Sequence, residues 1–269
     1  MKRTLLPAAL LAVWPTAQAD YLESMHEHPW VGYWVGYEDR EFDFGIGAKG
    51  NGELFLKQRQ KGEMTRISAF RSLKMRYLLE EKAGDNWISR SMVEDGFETS
   101  QDPSGDVEKA EFEVSYKGGG AAKVTHTFER GEVHIGIEWV KKPEGKEARL
   151  GIEVIIPDLY RLKSDIEERE LKEKLEDDEV RAVRVDNKKF KVEFEDDVTL
   201  SDEDVLGKGA TEFEITSKQL ADKSINLSNT KDKGGVFYFD QKNPLHEGFS
   251  VMWYPEESVA DSQLIIEVD

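Results

Sequence analysis

The chain of 269 residues contains no cysteine. That excludes disulfide staples, thiolate metal centres and cysteine nucleophiles together. A small exported fold short of core normally leans on disulfides, but a chain of this length can bury roughly 70–75% of its unfolded surface without them. Basic charge is scarce as well: 37 Lys and Arg stand against 55 Asp and Glu, a net charge of -18. Such a surface repels phosphate, so neither nucleic acid nor an anionic membrane is an expected partner. Long apolar runs are missing beyond the first twenty residues, where roughly 18 would be needed to span a bilayer, so no membrane insertion is expected. Familiar catalytic signatures are absent too. There is no G-x-S-x-G, no Walker A loop, no H-E-x-x-H and no EF-hand loop. No cofactor and no metal site are expected from motifs.

The one apolar run present is Leu5–Val13, behind Met1-Lys2-Arg3 and ahead of Ala17-Gln18-Ala19. This is the layout of a cleavable signal peptide over 1–19, cut after Ala19. The expected location is therefore periplasmic or extracellular, and an exported chain without thiols fits a bacterial source.

The rest reads as strands. In Glu132–Val140, residues Val133, Ile135, Ile137 and Trp139 alternate with His134, Gly136 and Glu138. Ala148–Ile156 repeats the pattern, with Leu150, Ile152, Val154 and Ile156 against Gly151 and Glu153. A period of two predicts sheet with one buried face. Asn51-Gly52 is a hairpin signal, and Met64–Leu79 reads as strands bent near Ser72. Counting Gly- and Asn-punctuated segments gives about 17 strands, too many for one small barrel. The expected fold is all-β: a large antiparallel β-sandwich, supersandwich-like or two stacked sandwiches, with one amphipathic helix. That helix is read over Asp158–Glu179, where Leu159, Leu162, Ile166, Leu171 and Leu175 recur near helical spacing in an acidic background. The expected organisation is 20–157 as one β-sheet region, 158–180 as an acidic connecting helix, and 181–269 as a second sheet region, continuous with the first or separate.

Three groups of residues carry candidate chemistry. Trp30 and Trp34, spaced by Gly32, would share a strand face and offer a sugar ring an aromatic platform; filling the core is the competing reading. His134, Glu138 and Glu153 would share the open face of neighbouring strands as acid and base; an ordinary solvated face is the alternative. The basic island Lys57, Arg59, Lys61, Arg66, Arg71, Lys74 and Arg76 could hold an anionic group, Arg bidentately. Salt bridges to Asp43, Glu53 or Glu80 would account for it equally. His26-Glu27-His28 offers two imidazoles but no third metal ligand. The expected partner is a glycan or small sugar. The function read from these is an exported β-sandwich that binds a carbohydrate or cell-envelope component, or a carbohydrate-active enzyme of epimerase, mutarotase or lyase type.

Overall fold

The computed structural model describes residues 30–67, 72–101, 107–156, 169–170, 173, 176, 178–193, 198–239 and 249–269. Among these residues the chain forms 18 strands, every ladder antiparallel, joined into one continuous sheet. The sheet doubles back to make two layers. In the first, β1 (Tyr33–Glu38), β2 (Phe42–Gly47), β3 (Gly52–Gln60), β5 (Leu73–Ala83), β11 (Ala148–Ile156), β17 (Phe249–Pro255) and β16 (Gly235–Phe239) pair in that order. β4 (Glu63–Arg66) pairs with β3, and β6 (Asn86–Arg90) with the far end of β5.

The second layer runs β7 (Met92–Glu98), β8 (Lys109–Tyr116), β9 (Ala121–Glu129), β10 (Glu132–Lys141), β18 (Leu264–Val268), β15 (Lys223–Asn229), β14 (Ala210–Ser217), β12 (Glu179–Arg184) and β13 (Lys189–Glu193). A single residue pair, Ala210 opposite Phe237, carries the ladder from one layer to the other. Ladders from β11 to β17 and from β10 to β18 tie residues before 157 directly to residues after 248.

Alternation explains why these strands stack. Val133, Ile135 and Ile137 are buried, and so are Leu150, Ile152, Val154 and Ile156, while His134, Gly136, Glu138 and Glu153 turn outward. The apolar stripe of each strand removes itself from water against the opposite layer. Aromatic rings knit the two: Trp34 of β1 meets Phe112 of β8 edge-on, and Phe44 of β2 packs on Phe128 of β9. His126 of β9 is fully buried in this core, and its Nε2 meets the Tyr77 hydroxyl of β5 at 2.6 Å.

Three local readings change. The strand expected from Trp30 begins at Tyr33, after Gly32 takes a positive φ of 89°. A register shift between Tyr33 and Val35 then breaks the alternation, so Trp34 and Val35 are both fully buried. The β2–β3 turn is made by Gly50, at φ 82°, rather than by Asn51-Gly52, and Gly52 already opens β3. Of the expected acidic helix, Arg169, Glu170 and Glu173 are helical, with Arg169 Nε 3.2 Å from Glu173 Oε1. The helix does not reach its expected end: Glu176 is in a turn, Asp178 is outside any helix, and Glu179 already opens β12. The other residues of that stretch lie outside the described residues, as does the expected signal peptide. Among the described residues, no helix is long and apolar enough to cross a membrane.

Candidate functional site

β10 is paired with β9 along its whole length but with β18 only over Glu132–Ile135. Beyond Ile135 its second edge is left open among the described residues. A cleft of about 510 Å³ lies against that edge. Because the edge is uncovered, residues of both parities line the cleft: Gly136 and Glu138 from the outer face, Ile137 and Trp139 from the inner one. Glu111 of β8 and Thr125 of β9 extend the floor, since Glu111 pairs with Thr125 and Thr125 with Gly136 in register. The segment from Pro255 to Gln263 forms one wall, and Arg149 and Leu150 of β11 close another.

The polar groups of the cleft are already organised. Trp139 Nε1 donates to Glu257 Oε1 at 3.1 Å, and Lys142 Nζ donates to both oxygens of that carboxylate at 2.8 and 2.9 Å. Lys142 also lies 5.4 Å from the Trp139 ring centre, within cation–π range. The Lys142 ammonium and the indole N–H hold the Glu257 carboxyl below its usual range. Glu111 is lowered likewise by its bonds to Lys109 and Lys123. Both are therefore ionised acceptors at neutral pH. Gly136 has no side chain, and the Gln263 amide lies over it, 3.4 Å from where a Cβ would stand. Arg149 is clamped between the rings of Trp87 (4.2 Å) and Tyr254 (3.8 Å) while Glu80 Oε2 accepts from its Nε at 2.8 Å. It is a fixed cation at the cleft's rim.

Of the sequence-derived acid–base group, Glu138 lines this cleft, exposed and 3.8 Å from Lys123. His134 sits four residues earlier on the same outer face, its Nε2 2.6 Å from Glu132 Oε2. Glu153 is elsewhere. β11 belongs to the first layer, and Glu153 faces outward there, accepting from Ser250 Oγ at 2.8 Å and lying 3.5 Å from Arg76. Gly151, on the same face of β11, is covered by Tyr254, whose ring lies 2.8 Å from where a Cβ would stand.

The two tryptophans do not share a surface. Trp34 is in the core, edge-on to the stacked rings of Phe97 and Phe112. Trp30 is also buried; it lies over Gly36 and Gly45, edge-on to Tyr33, beneath the Arg66 guanidinium at 4.6 Å. Arg66 stands equally close to Phe55 on its other side and donates from Nε to Asp43 Oδ2 at 2.5 Å. Lys57 pairs with the other oxygen of Asp43, itself buried. The basic island is thus divided. Lys57 and Arg66 neutralise Asp43, and Arg76 pairs with Glu153. Arg59 and Lys74 are exposed on β3 and β5, Lys61 is exposed in the turn between β3 and β4, and Arg71 lies outside the described residues.

Trp139, Lys142, Arg149, Glu257 and Gln263 carry no signal in the sequence that marks them as a site. Trp139 shares parity with the core residues of β10, so alternation files it as interior. Only the early end of the β18 ladder leaves it at a surface.

No family model matches this sequence, and no curated protein does either. Among solved structures it is similar to the alpha-N-acetylgalactosaminidase NagBb of Bifidobacterium bifidum, in complexes with GalNAc and with Gal-NHAc-DNJ. In each case the identity is 10%, the TM-score is 0.47, and the match covers 87% of this chain and 35% of the other. The chain thus spans about a third of that enzyme's length.

Proposed function

We propose that this chain is a binding protein whose cleft beside the open edge of β10 holds a sugar or short glycan. The observation that carries the reading is the combination at Trp139: an indole at the wall of a cleft of about 510 Å³, fixed through its N–H to Glu257. That volume is in the range of small-molecule sites, roughly 300–1,000 Å³. Sugars ask for an apolar face to lie against and for donors and acceptors around their rim. Trp139 supplies the first. Glu111, Glu138 and Glu257 as acceptors, with Arg149, Lys142 and Gln263 as donors, supply the second.

Binding is favoured over acid–base chemistry by the state of these groups. A general acid at neutral pH needs a carboxyl raised toward 7, whereas Glu111 and Glu257 are pushed the other way. A trio of His134, Glu138 and Glu153 would need one substrate to touch both layers, because β10 and β11 share no ladder. The location proposed for this activity, outside the cytoplasm, rests on Met1–Ala19.

The test is calorimetric titration of neutral, N-acetylated and uronic sugars, as monosaccharides and disaccharides, into the wild-type chain and Trp139→Ala. At least one sugar class should bind the wild type, and Trp139→Ala should weaken it at least tenfold, about 1.4 kcal/mol, with the melting temperature little changed. Absence of saturable binding across the panel, or equal affinity in the variant, would overturn the proposal.

A further inference from the structure

The hairpin joining β9 to β10 turns on Arg130-Gly131, with Gly131 at φ 80°, so that Glu129 and Glu132 face each other in register. His134 follows Glu132 by two positions and therefore points from the same face. We propose that this hairpin tip is a divalent-metal site, with the carboxylates of Glu129 and Glu132 and the imidazole of His134 as ligands. One ligand atom from each of the three lies within 4.8 Å of the other two. The imidazole is not a bystander to an acidic patch: its side chain is only 15% exposed and Nε2 is directed at the Glu132 carboxylate, 2.6 Å away.

Charge and rigidity both favour occupancy. Across the β10–β18 ladder, Glu132 is directly opposite Glu267, a third carboxylate beside the pair. Asp39 adds a fourth nearby, accepting from the Gly131 N–H at 3.3 Å. Among the described residues, no lysine or arginine is bonded to Glu129, Glu132 or Glu267, although Glu80, Glu81, Glu111 and Glu153 each have such a partner. Facing carboxylates repel unless a cation lies between them. The backbone of the tip is held from three sides: by Asp39, by the Tyr37 hydroxyl donating to the Glu129 carbonyl at 3.2 Å, and by Val268 N–H donating to the Gly131 carbonyl at 3.0 Å. Ligands on so constrained a turn need little reorganisation to close on an ion.

The donor set selects the ion. Calcium and magnesium take oxygen ligands throughout, whereas one imidazole with two carboxylates suits a first-row transition ion such as Zn²⁺. Three protein ligands leave a tetrahedral ion one position for water. This assignment is independent of the sugar proposal, since none of the three ligands lines the cleft.

Titration of Zn²⁺ into the full chain, followed by calorimetry, tests it. Co²⁺ substitution, read by the intensity of its visible absorption, reports whether the bound ion is four-coordinate. The wild type should take one ion saturably, and the variants His134→Ala and Glu129→Gln should each bind at least tenfold more weakly while keeping the wild-type circular dichroism. A His26→Ala/His28→Ala double variant serves as the control for the other imidazole pair and should retain full affinity. Binding without saturation, affinity unchanged in His134→Ala and Glu129→Gln, or loss of binding in the His26/His28 control would each overturn the site.

Discussion

Acidification from pH 6.5 to pH 4.5 should remove about 2 kcal/mol of folding stability through one residue, His126, the slope reaching about 1.4 kcal/mol per pH unit. Its imidazole is fully buried, stacked on Phe112 at 5.7 Å and Phe128 at 6.1 Å, with the Tyr77 hydroxyl on Nε2. Burial lowers its pKa to about 3 from an ordinary 6.5. Well above pH 6.5, folded and unfolded chains both carry the neutral ring, and no stability is lost. Below 6.5 the unfolded chain takes up a proton that the folded core refuses, so stability falls as pH falls. The loss levels off once pH passes the folded value near 3. Urea midpoints measured against pH for wild type and for Tyr77→Phe/His126→Phe would show it. The double variant removes the imidazole without leaving the Tyr77 hydroxyl buried and unpaired. Its stability should be flat across that window relative to wild type. Parallel pH curves would mean that the imidazole reaches water.

The second large effect is expected at Asp43. Asp43→Asn leaves the cations of Lys57 and Arg66 without their shared carboxylate in a site where Arg66 is pressed between Trp30 and Phe55. Removing one partner of a buried ion pair costs about 3–5 kcal/mol, because the charge left behind remains desolvated. With a urea dependence of about 2–3 kcal/mol per molar, the denaturation midpoint should drop by roughly 1–2.5 M. A drop worth under 1 kcal/mol would show the cluster to be hydrated and Arg66 open to an outside anion. The rings on both faces of the guanidinium argue against that. They make Arg66 a strut between β4 and the first layer, and Trp30 the plate it rests on.

Parity within a strand is legible from the sequence because it is local. Val133, Ile135 and Ile137, or Leu150, Ile152 and Val154, can be sorted inward without knowing what pairs with what. Pairing is not legible. Consecutive strands are usually neighbours, and that tendency groups Glu153 with His134 and Glu138. In the structure β10 takes β18, and β11 takes β5 and β17. Those choices depend on contacts between segments far apart in the chain, which no window of residues reports. Trp30 and Trp34 are separated by something finer, one register shift at Tyr33 that sends two consecutive side chains inward. The cleft is hidden for a related reason. Nothing in Gly136-Ile137-Glu138-Trp139 shows that the neighbouring ladder stops at Ile135. The facing of Glu129 and Glu132, by contrast, follows from the two-residue turn between them.

β18 has a consequence for synthesis. Ile266 sits opposite Val133 on one side and Leu227 on the other, so a central plank of the second layer leaves the ribosome long after the strand it must flank. Until then β10 and β15 present bare, apolar-backed edges, the geometry that recruits other chains. Growth of this protein would be safest in the company of a holding chaperone. Nascent chains halted before Leu264 should clump, not linger as a stable half-molecule.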